Sequence, residues 1–148
     1  MTKYLGLDAS TQSLSALIIE SGNWRICYEK SVNFGSRLPQ YNSPEGFLPD
    51  DNPLVRHADP LMWVEAMDML FDEMKADGVD LSEIQAISGS GQQHGSVYLK
   101  PEFTCAEGFE LKNSLCASIA PMLSRETAPI WMDSSTSEEC AEIAAKIG

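Results

Sequence analysis

Eight consecutive residues, Ser88-Gly89-Ser90-Gly91-Gln92-Gln93-His94-Gly95, bring together three glycines, two amides, two hydroxyls and an imidazole. They follow the apolar run Ile84-Gln85-Ala86-Ile87, which reads as a buried strand. Glycine has no side chain to hold off a neighbour, so such a strand end admits another backbone or a ligand. Gln92, Gln93 and His94 supply the donors and acceptors that a polyhydroxylated ligand needs. In an α/β sheet, ligands bind at the carboxyl ends of the strands. On residue types alone, a Gly-rich turn carrying one solvated His fits equally well.

A second polar cluster begins at Asp8, at the mouth of the apolar segment Tyr4-Leu5-Gly6-Leu7, and continues through Ser10, Thr11, Gln12 and Ser13. A carboxylate in that place can hold Mg²⁺ directly or through water. The backbone N–H groups and side chains of Ser10, Thr11, Gln12 and Ser13 can face phosphate oxygens. Taken alone, these residues are accounted for more simply by a hairpin whose Asp and Ser cap the turn. No G-x-x-x-x-G-K-[ST] loop occurs in the chain.

The elements that must position these residues are legible from pattern. Strands are expected over Tyr4 to Asp8, Leu14 to Glu20 and Trp24 to Phe34; the short connections between them imply an antiparallel meander. Residues 35–60 hold five of the eight prolines and read as an excursion without regular structure. Its Asp50, Asp51, Arg56 and His57 fit a surface loop better than a site. Asp59-Pro60 then opens a helix, with Asp59 as N-cap and Pro60 in the first turn. Trp63, Ala66, Met67, Leu70, Phe71 and Met74 form its apolar face, and Gly78 its C-terminal cap. A fourth strand runs from Ile84 to Ser88, and Ser96 to Leu99 is expected to return antiparallel to it. A short helix is expected around Leu111 to Leu123. The apolar run Pro129 to Met132 ends on Asp133. A last helix follows, with capping pairs Ser135/Glu138 and Thr136/Glu139 and a buried stripe of Cys140, Ile143, Ala144 and Ile147. This order of elements is that of the N-terminal part of an RNase H-like, actin-like α/β domain.

Composition narrows the partners. The 148 residues suffice for one domain with a sizeable core, and 43% hydrophobic against 22% charged residues is a globular balance. Ten basic against 22 acidic residues give a net charge of −12, which argues against nucleic acid as a partner. A small anionic cofactor held by backbone amides is compatible with it. No run is long enough to span a bilayer, so no membrane partner is expected, and Asp8 interrupts the N-terminal apolar segment too early for a secretion signal. Cys27, Cys105, Cys116 and Cys140 show neither C-x-x-C spacing nor a nearby His. They read as small buried hydrophobes of a cytoplasmic, reducing compartment; a Cys105–Cys116 disulfide is the less favoured alternative.

Three segments in order resemble the FGGY carbohydrate kinases. Gly6-Leu7-Asp8-Ala9-Ser10-Thr11-Gln12-Ser13 is similar to that family's first phosphate loop. Ser88 to Gly95 is similar to its sugar-binding S-G-Q-[MQ]-H-G signature. Pro129-Ile130-Trp131-Met132-Asp133-Ser134-Ser135-Thr136 is similar to its W-x-D segment, and Leu61-Met62-Trp63 fits as well. Within the family, Gly-Gln-Gln-His-Gly and Trp-Met-Asp-Ser-Ser-Thr are most similar to the xylulose kinase branch, particularly its eukaryotic type.

The resemblance implies transfer of a phosphoryl group from ATP, with Mg²⁺, to a hydroxyl of D-xylulose. Asp8 would help place the metal and nucleotide, with Ser10, Thr11, Gln12 and Ser13 on the phosphate path. His94 would hydrogen-bond a sugar hydroxyl, with Gln93 beside it. Asp133 is assigned a structural role or a weaker part in sugar binding. The proton-accepting Asp of the family would lie beyond residue 148, so no residue of this chain is assigned as catalytic. Residues 1–148 would then be the N-terminal, sugar-binding portion of a first domain, inactive without the rest of it and a second, ATP-binding domain. Nothing in the sequence indicates an oligomeric state. A kinase for another ketose or polyol and a non-catalytic RNase H-like binding module remain as alternatives. A metal-dependent nuclease using Asp8 and Asp133 is disfavoured by the charge.

Overall fold

The computed structural model describes residues 2–102 and 114–147. Three strands open the chain: β1 (Lys3–Ala9), β2 (Ser13–Glu20) and β3 (Arg25–Asn33). They form the expected antiparallel meander, with Leu5 opposite Ile18 and Asp8 opposite Ser15. Strand β2 alternates strictly, and Leu14, Ala16 and Ile18 turn inward. Together with Leu5 on β1 and Val32 on β3 they make one apolar face of the sheet.

Helix α2 (Pro60–Ala76) covers that face. Asp59 caps it by accepting a hydrogen bond from the Leu61 amide at 2.8 Å, and Pro60 occupies the first turn, where no N–H is needed. Its fully buried line is Met62, Ala66, Leu70 and Met74, with Trp63, Met67 and Phe71 half-buried along the flank. The spacing of four thus outweighs the broader stripe expected from the sequence. Gly78 ends the helix at φ +83°, a conformation without steric cost for glycine.

The helix delivers the chain to β5 (Ile84–Gly91), which lies parallel to β1, giving the sheet order β3-β2-β1-β5. A four-residue helix, α1 (Phe34–Arg37), and a 3-10 turn at Pro39–Tyr41 follow the meander. Further on, β4 (His57–Ala58) pairs antiparallel with β6 (Ala128–Pro129). Helix α3 (Leu115–Ile119) and a 3-10 turn at Ala120–Met122 pack near α2, and α4 (Ser137–Ile147) comes last.

Five expectations are modified. The Pro-rich stretch 35–60 holds short regular elements, because Asn33 caps α1 through the Ser36 amide and His57-Ala58 finds a partner strand. Strand β5 is an edge strand with β1 as its neighbour among the described residues; Ile84 packs partly against the core, but Ile87 is 59% exposed. Ser96 to Leu99 does not return along β5. Its amides and carbonyls bond instead to the later segment, Ser96 N to Pro129 O at 3.1 Å and Ser124 N to Tyr98 O at 2.9 Å. The stripe on α4 is exposed, since no described element packs against it. Cys27 and Cys140 are exposed free thiols and Cys116 is a half-buried one, while Cys105 and Leu111 lie outside the described residues.

Among the described residues no helix is long and apolar enough to cross a membrane. The sheet–helix core predicts that Leu70→Ala, which leaves a cavity between α2 and β2, lowers unfolding free energy by about 2–5 kcal/mol in urea denaturation. Asp59→Ala, which removes only the cap, should cost about 1 kcal/mol.

Candidate functional site

The parallel register of β1 with β5 sets Asp8 directly beside Ser90 and Ala9 beside Gly91. Both strands therefore release their next residues at the same edge of the sheet. From β1 comes the tight connection Ser10 to Gln12; from β5 comes the turn Gln92 to Gly95. The Gln92 amide bonds to the Ala9 carbonyl at 2.9 Å, so the two loops start as neighbours.

Asp8 is fixed by two hydroxyls. Ser10 Oγ donates to one carboxylate oxygen and Ser90 Oγ to the other, each at 2.6 Å. The Ser10 hydroxyl, then the Ser90 hydroxyl, favour the ionised form and hold the Asp8 pKa below the ordinary carboxylate range; slight burial opposes them.

The β1–β2 loop is held from several sides. Ser10 N donates to Ser13 O at 2.9 Å, and the Gln12 carbonyl accepts from Phe34 N at 2.9 Å and Asn33 Nδ2 at 3.2 Å. Behind it lies Gly46, at φ +86°, where a Cβ would stand 1.9 Å from the Thr11 carbonyl oxygen. Only glycine fits there. By contrast, a Cβ on Gly89 would meet nothing within 4 Å, and on Gly91 only the Ala9 carbonyl oxygen at 3.9 Å. At this loop the glycine demanded by close approach is thus Gly46, which the motif does not contain.

His94 adopts φ +59°, a left-handed conformation that non-glycine residues seldom take. It turns the chain off β5 toward Pro129, whose carbonyl accepts from Ser96 N. This brings in the third segment. Trp131, just after β6, donates from Nε1 to Thr11 Oγ1 at 3.0 Å. Asp8, Ser10, Thr11, Gly91, Gln92, Gln93, His94 and Trp131 together line one open cleft of about 400 Å³.

Gln12 and Ser13 are not among the lining residues: the Gln12 amide faces Glu45 Oε2 at 3.4 Å, and Ser13 begins β2. Asp133 stands behind the wall, with 8% of its side chain exposed. One oxygen accepts from the Arg56 amide at 2.8 Å and faces His57 Nε2 at 3.3 Å; the other accepts from Ser135 Oγ at 2.7 Å and Ser135 N at 3.2 Å. Burial opposes its ionisation, but the Arg56 amide, the Ser135 hydroxyl and amide and His57 outweigh it, and its pKa is lowered. His57 Nδ1 is bonded in turn to Thr127 Oγ1 at 2.9 Å. The residues that sequence pattern did not single out are Ser90 as a partner of Asp8, Trp131 as a wall, and Gly46 and His57 as supports. Their positions depend on contacts 35 to 120 residues apart in sequence, which no local spacing displays.

The fold and this cleft at the carboxyl edge of β1 and β5 define the class: an RNase H-like, actin-like α/β unit of the kind found in FGGY kinases. A xylulose kinase from Brucella ovis superposes with TM-score 0.67 at 22% identity, over 97% of this chain and 24% of that one. A glycerol kinase from Plasmodium falciparum solved with ADP gives TM-score 0.57 at 16% identity, over 99% of this chain and 23% of that one. In sequence, xylulose kinase 2 of Arabidopsis thaliana is 40% identical over 147 residues, 98% of this chain and 26% of that protein. Along nearly its whole length the chain is similar in sequence to xylulose kinases. It spans about a quarter of the length of the curated relatives it matches. No family model matches it.

The Ser90 contact yields a direct prediction. Ser90→Ala should raise the Asp8 pKa toward the ordinary value, seen as an upward shift of its carboxyl ¹³C titration midpoint by NMR. Because the folded-state pKa is depressed, the pair adds stability above the unfolded carboxylate pKa and loses it as pH falls through the folded value. The Ser90→Ala protein should accordingly lose stability at neutral pH but not at pH values below both pKa values.

Proposed function

We propose that this chain forms the sugar-facing wall of an ATP-dependent kinase that phosphorylates D-xylulose to D-xylulose 5-phosphate. The observation that carries the reading is the single cleft onto which Asp8, Thr11, Gln93 and His94 open together. Phosphoryl transfer depends chiefly on bringing a hydroxyl in line with the phosphorus and stabilising charge on the equatorial oxygens. A hydroxyl-rich loop and an amide–imidazole turn on facing walls suit those two tasks.

His94 and Gln93 hold hydroxyls of the sugar; both are exposed, so their polar atoms are available to a ligand. Ser10 and Thr11 face the phosphate, with Gln12 and Ser13 shaping the loop that carries them. Asp8 fits Mg²⁺, which commonly takes one carboxylate together with phosphate oxygens and water. Its lowered pKa keeps it ionised, as a ligand must be. Among the described residues no cluster of three or more His, Cys, Asp or Glu offers an alternative all-protein metal cage. With the nucleotide bound, Mg²⁺ would offset charge on the phosphates.

Among the described residues Asp8 is the only carboxylate lining the cleft, and two hydroxyls already occupy it. A carboxylate so stabilised is a poor proton acceptor. As the resemblance to the FGGY kinases implies, we propose that an Asp beyond residue 148 takes the sugar hydroxyl proton and that most nucleotide contacts lie there too. Asp133, enclosed by Arg56, His57 and Ser135, supports the wall and touches sugar weakly if at all.

Calorimetric titration with D-xylulose tests the reading. Saturable binding is expected, weakened about tenfold in His94→Ala, the loss of roughly one hydrogen bond to a hydroxyl. Binding that is unchanged in His94→Ala, or no binding to the folded protein, contradicts it.

A further inference from the structure

Thr11 has an unusual hydrogen-bond state. The indole N–H of Trp131 can only donate, so in their 3.0 Å contact the Thr11 oxygen must accept. A threonine hydroxyl also carries one proton to donate, and among the described residues no acceptor receives it. The backbone beneath is immobilised: the Thr11 carbonyl lies against Gly46, and the Gln12 carbonyl takes two donors. The side-chain torsion is then set by Trp131, and both residues line the cleft.

Trp131 is itself anchored. Ile130 N donates to Arg56 O at 3.0 Å, and Asp133 N donates to Ile130 O at 2.9 Å. The Asp133 carboxylate closes this knot on the Arg56 amide. A rigid support behind a tryptophan that is 54% exposed is a costly arrangement for packing alone, since an exposed side chain gains little from burial.

Among the described residues no Lys or Arg lines the cleft. Anionic oxygens entering it would be met by hydroxyl and backbone donors, with any metal held at Asp8. Under those conditions the direction of each hydroxyl proton matters, because a hydroxyl free to rotate can present its lone pairs instead.

We infer that Trp131 is a positioning residue for Thr11: by donating to Oγ1 it commits that hydroxyl to donate into the cleft, toward an oxygen of the phosphoryl group being transferred. This rests on the kinase reading above for the identity of the anion, while the contact itself does not. It also gives Asp133 a part at one remove, as the anchor of Trp131.

Two measurements separate the claims. The first is the ¹H–¹⁵N indole signal of Trp131, identified among the three tryptophans by its loss in Trp131→Phe. Thr11→Val should shift it upfield and speed its solvent exchange, and Thr11→Ser should restore it. A signal unmoved by Thr11→Val overturns the inference, whatever the activity. The second is D-xylulose-dependent ADP formation by the complete kinase. Trp131→Phe keeps the ring and should lower kcat about tenfold with the KM for D-xylulose within about threefold, as expected for one charge-stabilising hydrogen bond. Thr11→Val should match it, Thr11→Ser should stay near native, and Trp131→Phe with Thr11→Val should be no slower than the worse single variant. Singles that multiply, or a Trp131→Phe kcat within twofold of native, overturn the inference. Native protein without turnover, but with an indole signal that responds to Thr11→Val, overturns the kinase reading and leaves the contact standing.

Discussion

The parallel pairing of β1 with β5 is the constraint on which the site depends. Residues on adjacent parallel strands end at one edge, and here the register puts Asp8 next to Ser90. A slip by one residue would turn every side chain of β5 to the opposite face and take Ser90 from the carboxylate. Two features hold that register. Helix α2 fixes where β5 begins, through its buried line Met62, Ala66, Leu70 and Met74. The hydrogen bond from Ser90 to Asp8 then ties the far ends together. The Ser10 hydroxyl and then this Ser90 contact lower the Asp8 pKa, so Ser90 both places the carboxylate and favours its charged form.

Around this pair the remaining segments act as a backing. The excursion after the meander sends Gly46 under Thr11, and its end, Arg56-His57, meets the turn that carries Trp131. Asp133, half-buried and ionised, is held by two backbone amides, a hydroxyl and an imidazole. Buried carboxylates persist when their lone pairs are satisfied in this way. Three loops far apart in sequence are thereby fixed against one another, with the cleft between them.

Much of this was legible in the sequence. Alternation in Leu14 to Glu20, the Asp59-Pro60 start and the three- and four-residue spacing of apolar residues in α2 are local signals, and each produced the element expected. The polar loop after Asp8 and the Gln-Gln-His turn stood out because the residues of each are contiguous, and both line the cleft. What could not be read is tertiary. His57, in a Pro-rich stretch, acquires meaning only when β4 pairs with β6. Gly46 looks like any loop glycine until Thr11 lies against it. Ile143 and Ile147 show a helical stripe that describes what the helix can bury, while burial itself needs a neighbour, and none among the described residues reaches them.

The central claim is that the β1 loop and the β5 turn form one ligand-binding unit. Amide hydrogen exchange of the protein with and without D-xylulose and Mg–ATP tests it most directly. The account predicts slowed exchange in residues 10–12 and in residues 92–95 together, with β3 unchanged. Protection of one loop without the other, or of neither while ligand is bound, would contradict it.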